Sequence, residues 1–278
     1  MSYTLFEWLF LPGLLLLASG MIYIPKWREK YLRARQFTSQ QRAIICTQLP
    51  VFKVLTDAQK KQLLELMQVF LARKTFYGCA DLEVTETMRL SIAAQACLLL
   101  LGRKTSVYRK LKSILIYPAA FKASRESRDA NGVVSATDHH MLGESWDSGR
   151  VVLSWDDVSR GAEDFNDGHN VTLHEFAHQL DSESGATNGA PLLHTNRYST
   201  WSKVLSKDYQ RLQNRARRNL ETVMDKYGAT NEAEFFAVAT ETFFERPRQL
   251  ADLRPDLFEV LSAYYCLDPR DWCLTEGA

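Results

Sequence analysis

No two of the five cysteines in this 278-residue chain stand at C-x-x-C spacing, so the sequence offers neither a zinc ribbon nor a dithiol redox pair. Cys46, Cys79, Cys97, Cys266 and Cys273 are scattered and odd in number, which suits free thiols in a reducing compartment. An excess of charge is missing too. With 34 Lys and Arg against 33 Asp and Glu the net charge is +1, leaving no global field to draw nucleic acid or an acidic partner. The densest basic cluster, Arg211, Arg215, Arg217 and Arg218, has no stacking aromatics interleaved with it and reads as a solvated helix face, so no nucleic acid is expected as a partner. Internal repeats and low-complexity tracts are also absent. What remains is an ordinary globular composition, 46% hydrophobic and 24% charged, of a length for one medium domain with an appendage.

Long apolar runs are scarce, with one exception at the start. Leu5–Ile24 reads LFEWLFLPGLLLLASGMIYI with Glu7 as its only charge. As a helix it would rise about 30 Å, the hydrocarbon thickness of a bilayer. Trp8 stands near one end and Tyr23 and Trp27 near the other, as interfacial aromatics should. Lys26, Arg28, Lys30, Arg33 and Arg35 follow, against Glu29 alone, which places everything after Pro25 on the cytoplasmic side. A cleaved signal peptide would need basic residues ahead of the apolar run, and none are there. The expectation is a membrane anchor over 1–25, a basic juxtamembrane linker over 26–45 and a cytoplasmic domain over 46–278, helical to about 110 and catalytic beyond it.

Within that domain Thr56 caps an amphipathic helix, DAQKKQLLELMQVFLARK, with Leu63, Met67 and Phe70 on one stripe. A second helix runs from about Glu86 to Leu101; its apolar run is too short to cross a bilayer and predicts a buried core helix. From Ser113 the period shortens. SILIYPAAF reads as a strand ended by Pro118, SRESRDANG as a loop, and Val133–Thr137 and Arg150–Trp155 as further strands joined by WDSGR. Helices resume near Gly168. The fold class is therefore α+β, mainly helical with a small sheet.

The chemistry concentrates in VTLHEFAHQLD (171–181). On a helix His174 and His178 lie one turn apart, so both imidazoles can reach one ion. Glu175 is offset from them, near enough to take a proton from metal-bound water without ligating. A catalytic zinc wants three protein ligands and an open position. Asp181 and Ser184 occupy the places where a longer H-x-x-G-x-x-H continuation would need Gly and His, so the third ligand comes from further along. The best segment is TNEAEFFAVATETFF from Thr230, with Glu232, Glu234, Glu241 and Glu245 among residues fit for burial. Glu234 is either the ligand or the partner of an N-cap at Asn231. Glu241, two turns along on the same face, is not separated from it by spacing.

These pieces carry a resemblance. LIYPAAF (115–121), GESWDSGRVVLSW (143–155), GHNVTLHEFAHQLD (168–181) and YGATNEAEFFAV (227–238) are similar to segments of the Mlc titration factor A family of zinc metallopeptidases, itself related to the catalytic domain of anthrax lethal factor. Weaker likeness runs from about Cys46 to Trp272, leaving residues 1–35 outside it. The resemblance implies a gluzincin-like zincin domain with one Zn2+ on His174, His178 and Glu234. It also implies that Glu175 is the base and Tyr227 a transition-state hydrogen-bond donor; on its own, Tyr227 reads as a helix-end residue before Gly228. Asp181, on the histidine face, reads either as orienting a ligand from behind or as a solvated helix-end carboxylate. The reaction implied is peptide hydrolysis, aminopeptidase-like, on cytoplasmic peptides or proteins, with Val151–Trp155 as an edge strand for the substrate. The alternative is a binding protein that sequesters a transcriptional repressor such as Mlc; the best-known family members are cytosolic and lack the leading apolar segment.

Overall fold

Local chemistry marks where the first helices begin. A computed structural model describes residues 5–103, 105–119, 121–122, 125–128, 134–137, 140–141, 143–146 and 149–272; side chains are described within 14–103 (except 16, 18 and 22), 105–119 and 149–272. Helix α1 (Leu5–Ala34) is continuous across Pro25. Thr38 and Thr56 each form a capping box, with Gln41 and Gln59, and start α2 (Ser39–Gln48) and α3 (Asp57–Arg73). The segment expected as a linker is thus helical, and Leu32, Phe37 and Ile45 are buried in the core. Glu29 on α1 pairs with Arg33 and with Arg73 at the end of α3. Among the described residues no helix is long and apolar enough to cross a membrane. Residues 1–4 and the side chains of 5–13, where much of the expected anchor falls, lie outside the description.

The central sheet joins β1 (Thr75–Gly78), β2 (Ser113–Tyr117), β7 (Gly143–Trp146) and β8 (Arg150–Ser154) in the order β1-β2-β8-β7. The first three in that order are parallel, in the registers Thr75↔Ser113 and Ser113↔Arg150, while β7 runs antiparallel to β8 with Gly143 opposite Leu153. This corrects one expectation: β8 is internal, not an edge. The hairpin through Gly149, at φ +75, folds β7 over its free side. Two small antiparallel pairs lie between β2 and β7: β3 (Phe121–Lys122) with β6 (His140–Met141), and β4 (Arg125–Arg128) with β5 (Val134–Thr137). Part of the expected loop SRESRDANG is therefore strand β4, and the rest of it lies outside the described residues.

Helix α4 (Glu86–Leu98) is the expected core helix, with every residue from Leu90 to Leu98 buried. Helices resume earlier than Gly168, because Ser154 ends β8 and also caps α5 (Trp155–Glu163) by accepting from Asp157 N. After it come α6 (Val171–Ser182), α7 (Tyr198–Arg217), α8 (Glu232–Glu245), α9 (Pro247–Leu253) and α10 (Pro255–Tyr265). Pro247 and Pro255 sit at helix starts, where the missing N–H costs nothing. Helix α6 packs on α8, α4, α5 and the β7–β8 hairpin. Its Leu173, Phe176, Ala177 and Leu180 are buried to within 1%, and Phe176 meets Tyr108 and Phe70 at 4.9 and 5.7 Å between ring centroids. At about 1.5–3 kcal/mol for each large side chain removed from water, that face fixes where the polar face of α6 must point.

Candidate metal centre

That polar face carries His174, Glu175 and His178. Asn170 starts the helix, its Oδ1 accepting from Leu173 N at 3.0 Å, and so sets the phase that turns both imidazoles toward α8. Asn231 starts α8 in the same way, accepting from Glu234 N at 2.9 Å. The two readings of Glu234 are therefore compatible. Its backbone is capped by Asn231, while its carboxylate turns to the histidines.

Three atoms converge. His174 Nε2 lies 2.9 Å from Glu234 Oε2, His178 Nε2 lies 3.2 Å from His174 Nε2, and His178 Nε2 lies 3.5 Å from Glu234 Oε2. Ligands about 2.0–2.1 Å from a tetrahedral zinc stand about 3.3 Å apart, which this triangle approximates. The protonation pattern points the same way. His174 Nδ1 faces Glu241 Oε1 at 2.7 Å, so that nitrogen carries the hydrogen and Nε2 presents a lone pair to the cluster. Two imidazole nitrogens and a carboxylate oxygen at such separations need a cation between them or a proton on a ring. Without the metal the proton serves. Burial opposes the His174 imidazolium, but Glu241 and Glu234 outweigh it and hold its pKa well above the ordinary histidine value. For His178 burial wins and the pKa falls. Burial likewise works against the Glu234 carboxylate, yet its bonds to the two rings leave its pKa far below the carboxylate range. His174, His178 and Glu234 are also the group whose ligand atoms all lie within 4.8 Å of one another among the described residues.

Glu175 is 3% exposed, one residue on from His174. Tyr227 sits in a single 3-10 turn, Lys226–Ala229, capped by Asp225, whose Oδ1 accepts from Tyr227 N at 2.6 Å. Its ring lies 6.0 Å from that of His174 and is half exposed. Burial, then the Glu234, Glu175 and Glu241 carboxylates, push its hydroxyl up to about 12, so it stays protonated at working pH. The structure thus brings His174, His178 and Glu234 together, with Glu175 next to His174 on α6 and the Tyr227 ring 6.0 Å from the His174 ring.

Asp181 goes elsewhere. It is fully buried rather than solvated, and no hydrogen bond joins it to either histidine among the described residues. Its Oδ2 accepts from Gly189 N at 2.6 Å and holds the Ser184–Pro191 loop, whose Gly189 packs on the Glu232 carbonyl at the start of α8. The residue that orients His174 is Glu241, which spacing had left as a rival ligand. Behind it lie Glu245, one of the four candidate carboxylates, and Asn170, whose place immediately before a helix is a legible cap signal.

A family model described as glucose-regulated metallo-peptidase M90 matches residues 24–266. The chain is 43% identical over 249 residues to the uncharacterized protein slr2042 of Synechocystis, covering 89% of this chain and 90% of that one. It is 30% identical over 247 residues to the Mlc titration factor A of Pectobacterium atrosepticum, covering 87% and 91% of the two chains. With that of Klebsiella pneumoniae it shares 31% over 224 residues, 80% and 84% of the two. The family match runs from the last third of α1 through α10 and includes His174, His178 and Glu234, and on that coverage the chain belongs to the glucose-regulated metallo-peptidase M90 family.

Proposed function

We propose that the chain is a zinc-dependent peptidase that cleaves cytoplasmic peptides or proteins, aminopeptidase-like, with His174, His178 and Glu234 holding one Zn2+. The observation that carries this is the triangle of donor atoms at 2.9, 3.2 and 3.5 Å with a buried carboxylate, Glu175, on the same helical turn. Zinc held there supplies Lewis acidity toward a carbonyl oxygen and toward water. Glu175 takes the proton from the attacking water and passes it to the leaving amine. The Tyr227 hydroxyl, protonated and half exposed, donates to the developing oxyanion. Glu241 keeps His174 in the tautomer that directs Nε2 inward. An extended substrate would add to β7, the antiparallel edge strand beside α6.

The apolar stretch Leu5–Ile24 and the basic residues after it support an anchor over 1–25 that holds the domain on the cytoplasmic face of a membrane, with 26–45 packed on the domain through Leu32, Phe37 and Ile45. A second reading rests on the relatives named Mlc titration factor A: a protein that binds a transcriptional regulator, with the metal site secondary. One experiment serves both. Purified protein is assayed for bound zinc and for cleavage of a peptide library, beside Glu175→Gln. Stoichiometric zinc with cleavage that the variant loses supports the peptidase; zinc-free protein at neutral pH refutes it.

A further inference from the structure

The two helices that supply the donors are joined by a buried polar brace behind the metal cluster. Asn170 is 1% exposed, Glu245 4% and Glu241 6%. Glu245 Oε1 accepts from Asn170 Nδ2 at 3.1 Å and its Oε2 from Gly168 N at 3.0 Å. Asn170 N donates to Glu241 Oε2 at 2.6 Å, and Glu241 Oε1 faces His174 Nδ1 at 2.7 Å. Three hydrogen bonds thus lead from Glu245 to the ring whose other nitrogen enters the donor triangle. The Asn170 carboxamide is boxed in on the remaining side. Its Nδ2 also donates to Gly161 O at 3.1 Å, and a Cβ at Gly161 would stand 2.9 Å from its Cγ.

We infer that Asn170 and Glu245 are a positioning pair for the metal centre, reaching His174 through Glu241. This rests on the metal-centre reading and deepens it. Two donors come from α6 and one from α8, so the separation of the helices sets the size of the triangle. Asn170 starts α6 and grips the C-terminal end of α8 through two carboxylates a turn apart. One residue therefore sets the phase of the histidine helix and ties it to the helix that carries Glu234. A buried carboxyl such as Glu245 is costly unless bonded, and all the partners it has among the described residues lie on the α6 side of the joint.

The test measures zinc affinity by chelator competition on the full-length chain, alongside thermal unfolding of the metal-free protein. Asn170→Asp keeps the cap oxygen for Leu173 N and the backbone bond to Glu241, but turns an oxygen on Glu245 Oε1 and Gly161 O. Its zinc dissociation constant should rise about 10–100-fold. Glu245→Gln keeps the shape and loses one of two acceptors; a rise of about tenfold or less is expected, and this variant decides the matter if Asn170→Asp does not fold. Because Glu245 acts through Glu241, Glu241→Gln/Glu245→Gln should bind zinc no more weakly than Glu241→Gln alone. Unchanged zinc affinity with a lowered melting temperature, or losses that simply add, would overturn the positioning role. Wild-type chain without stoichiometric zinc would instead overturn the metal-centre reading beneath it.

Discussion

Tyr227→Phe removes a single hydroxyl, and the structure says what that hydroxyl does not do. The contacts that hold the residue use its backbone: Tyr227 N donates to Asp225 at 2.6 Å, and Tyr227 O accepts from Thr230 Oγ1 at 2.6 Å. Folding therefore loses nothing that Phe cannot supply, and the melting temperature should stay put. Zinc affinity should also be unchanged, because the hydroxyl is no part of the donor triangle. The rate is different. Removing one oxyanion donor costs about 2.7–4 kcal/mol, or about 10²–10³-fold in kcat. A side chain 50% exposed works in a partly wet, higher-dielectric setting, which puts the expectation at the lower end, about 10²-fold. Since the hydroxyl titrates only at about 12, it stays a donor at any pH near neutrality, and the variant's pH profile should keep the wild-type shape. The assay is steady-state cleavage of the best peptide from the library, from pH 5 to 9, with zinc content measured in parallel. A fall in kcat of less than about threefold would refute the donor role. So would a loss explained by missing zinc.

Three further outcomes follow from the same geometry. Glu175→Gln should keep its zinc and lose about 10²–10⁴-fold in kcat, read by metal analysis and turnover on one sample; equal loss of metal would mean that Glu175 serves the fold rather than the proton. Asp181 is pushed up to about 6 by burial, despite backbone bonds from Gly189, Ala190 and Asn188. Folding thus favours its protonated form: the stability it confers is complete below its unfolded value near 4 and drains away as pH rises through about 6, a difference on the order of 3 kcal/mol. Asp181→Asn should flatten that part of the denaturation profile and be the more stable protein at pH 8, and identical profiles would contradict the burial argument. Gly189 has φ +77, and a Cβ there would stand 2.4 Å from the Glu232 carbonyl oxygen. Gly189→Ala should therefore cost about 1–3 kcal/mol in urea unfolding and weaken zinc binding, because Glu232 begins the helix that carries Glu234.

The parts of the fold that were legible are those where pattern and environment coincide. Helix α4 announced itself because Leu90–Leu98 is apolar except for Ser91 and Gln95, which bond to each other, and is buried on every face. Thr56 and Gln59 announced α3 by their spacing. Strand β1 gave no such signal: Thr75, Tyr77 and Gly78 are exposed and only Phe76 is partly covered, so four residues held by backbone pairing carry no hydrophobic period. Helix α5 was hidden because Ser154 both closes a strand and caps a helix, leaving no punctuation between them. For β8 the signal was present and misread. Val151, Val152 and Leu153 in succession are all buried, as in a strand covered on both faces with neighbours on both sides, and an exposed edge would have alternated.

The site divides the same way, and the reason is chemical. A sequence displays side-chain type and helical phase, which sufficed to place His174 and His178 one turn apart on a helix with Glu175 beside them. Phase cannot distinguish Glu234 from Glu241, because seven residues return to the same face. What separates them is that an imidazole has two nitrogens on opposite sides of one ring. Two carboxylates two turns apart can both reach His174, one at Nε2 at 2.9 Å and one at Nδ1 at 2.7 Å. The acid at Nδ1 fixes the proton there and leaves Nε2 with a lone pair that a metal could take; the acid at Nε2 would then share that metal. The two placements are therefore linked through one ring, and Asn170, which donates to Glu241, helps hold Glu241 at Nδ1. Residues of that kind carry no motif of their own, since their effect passes through a neighbour's hydrogen bond.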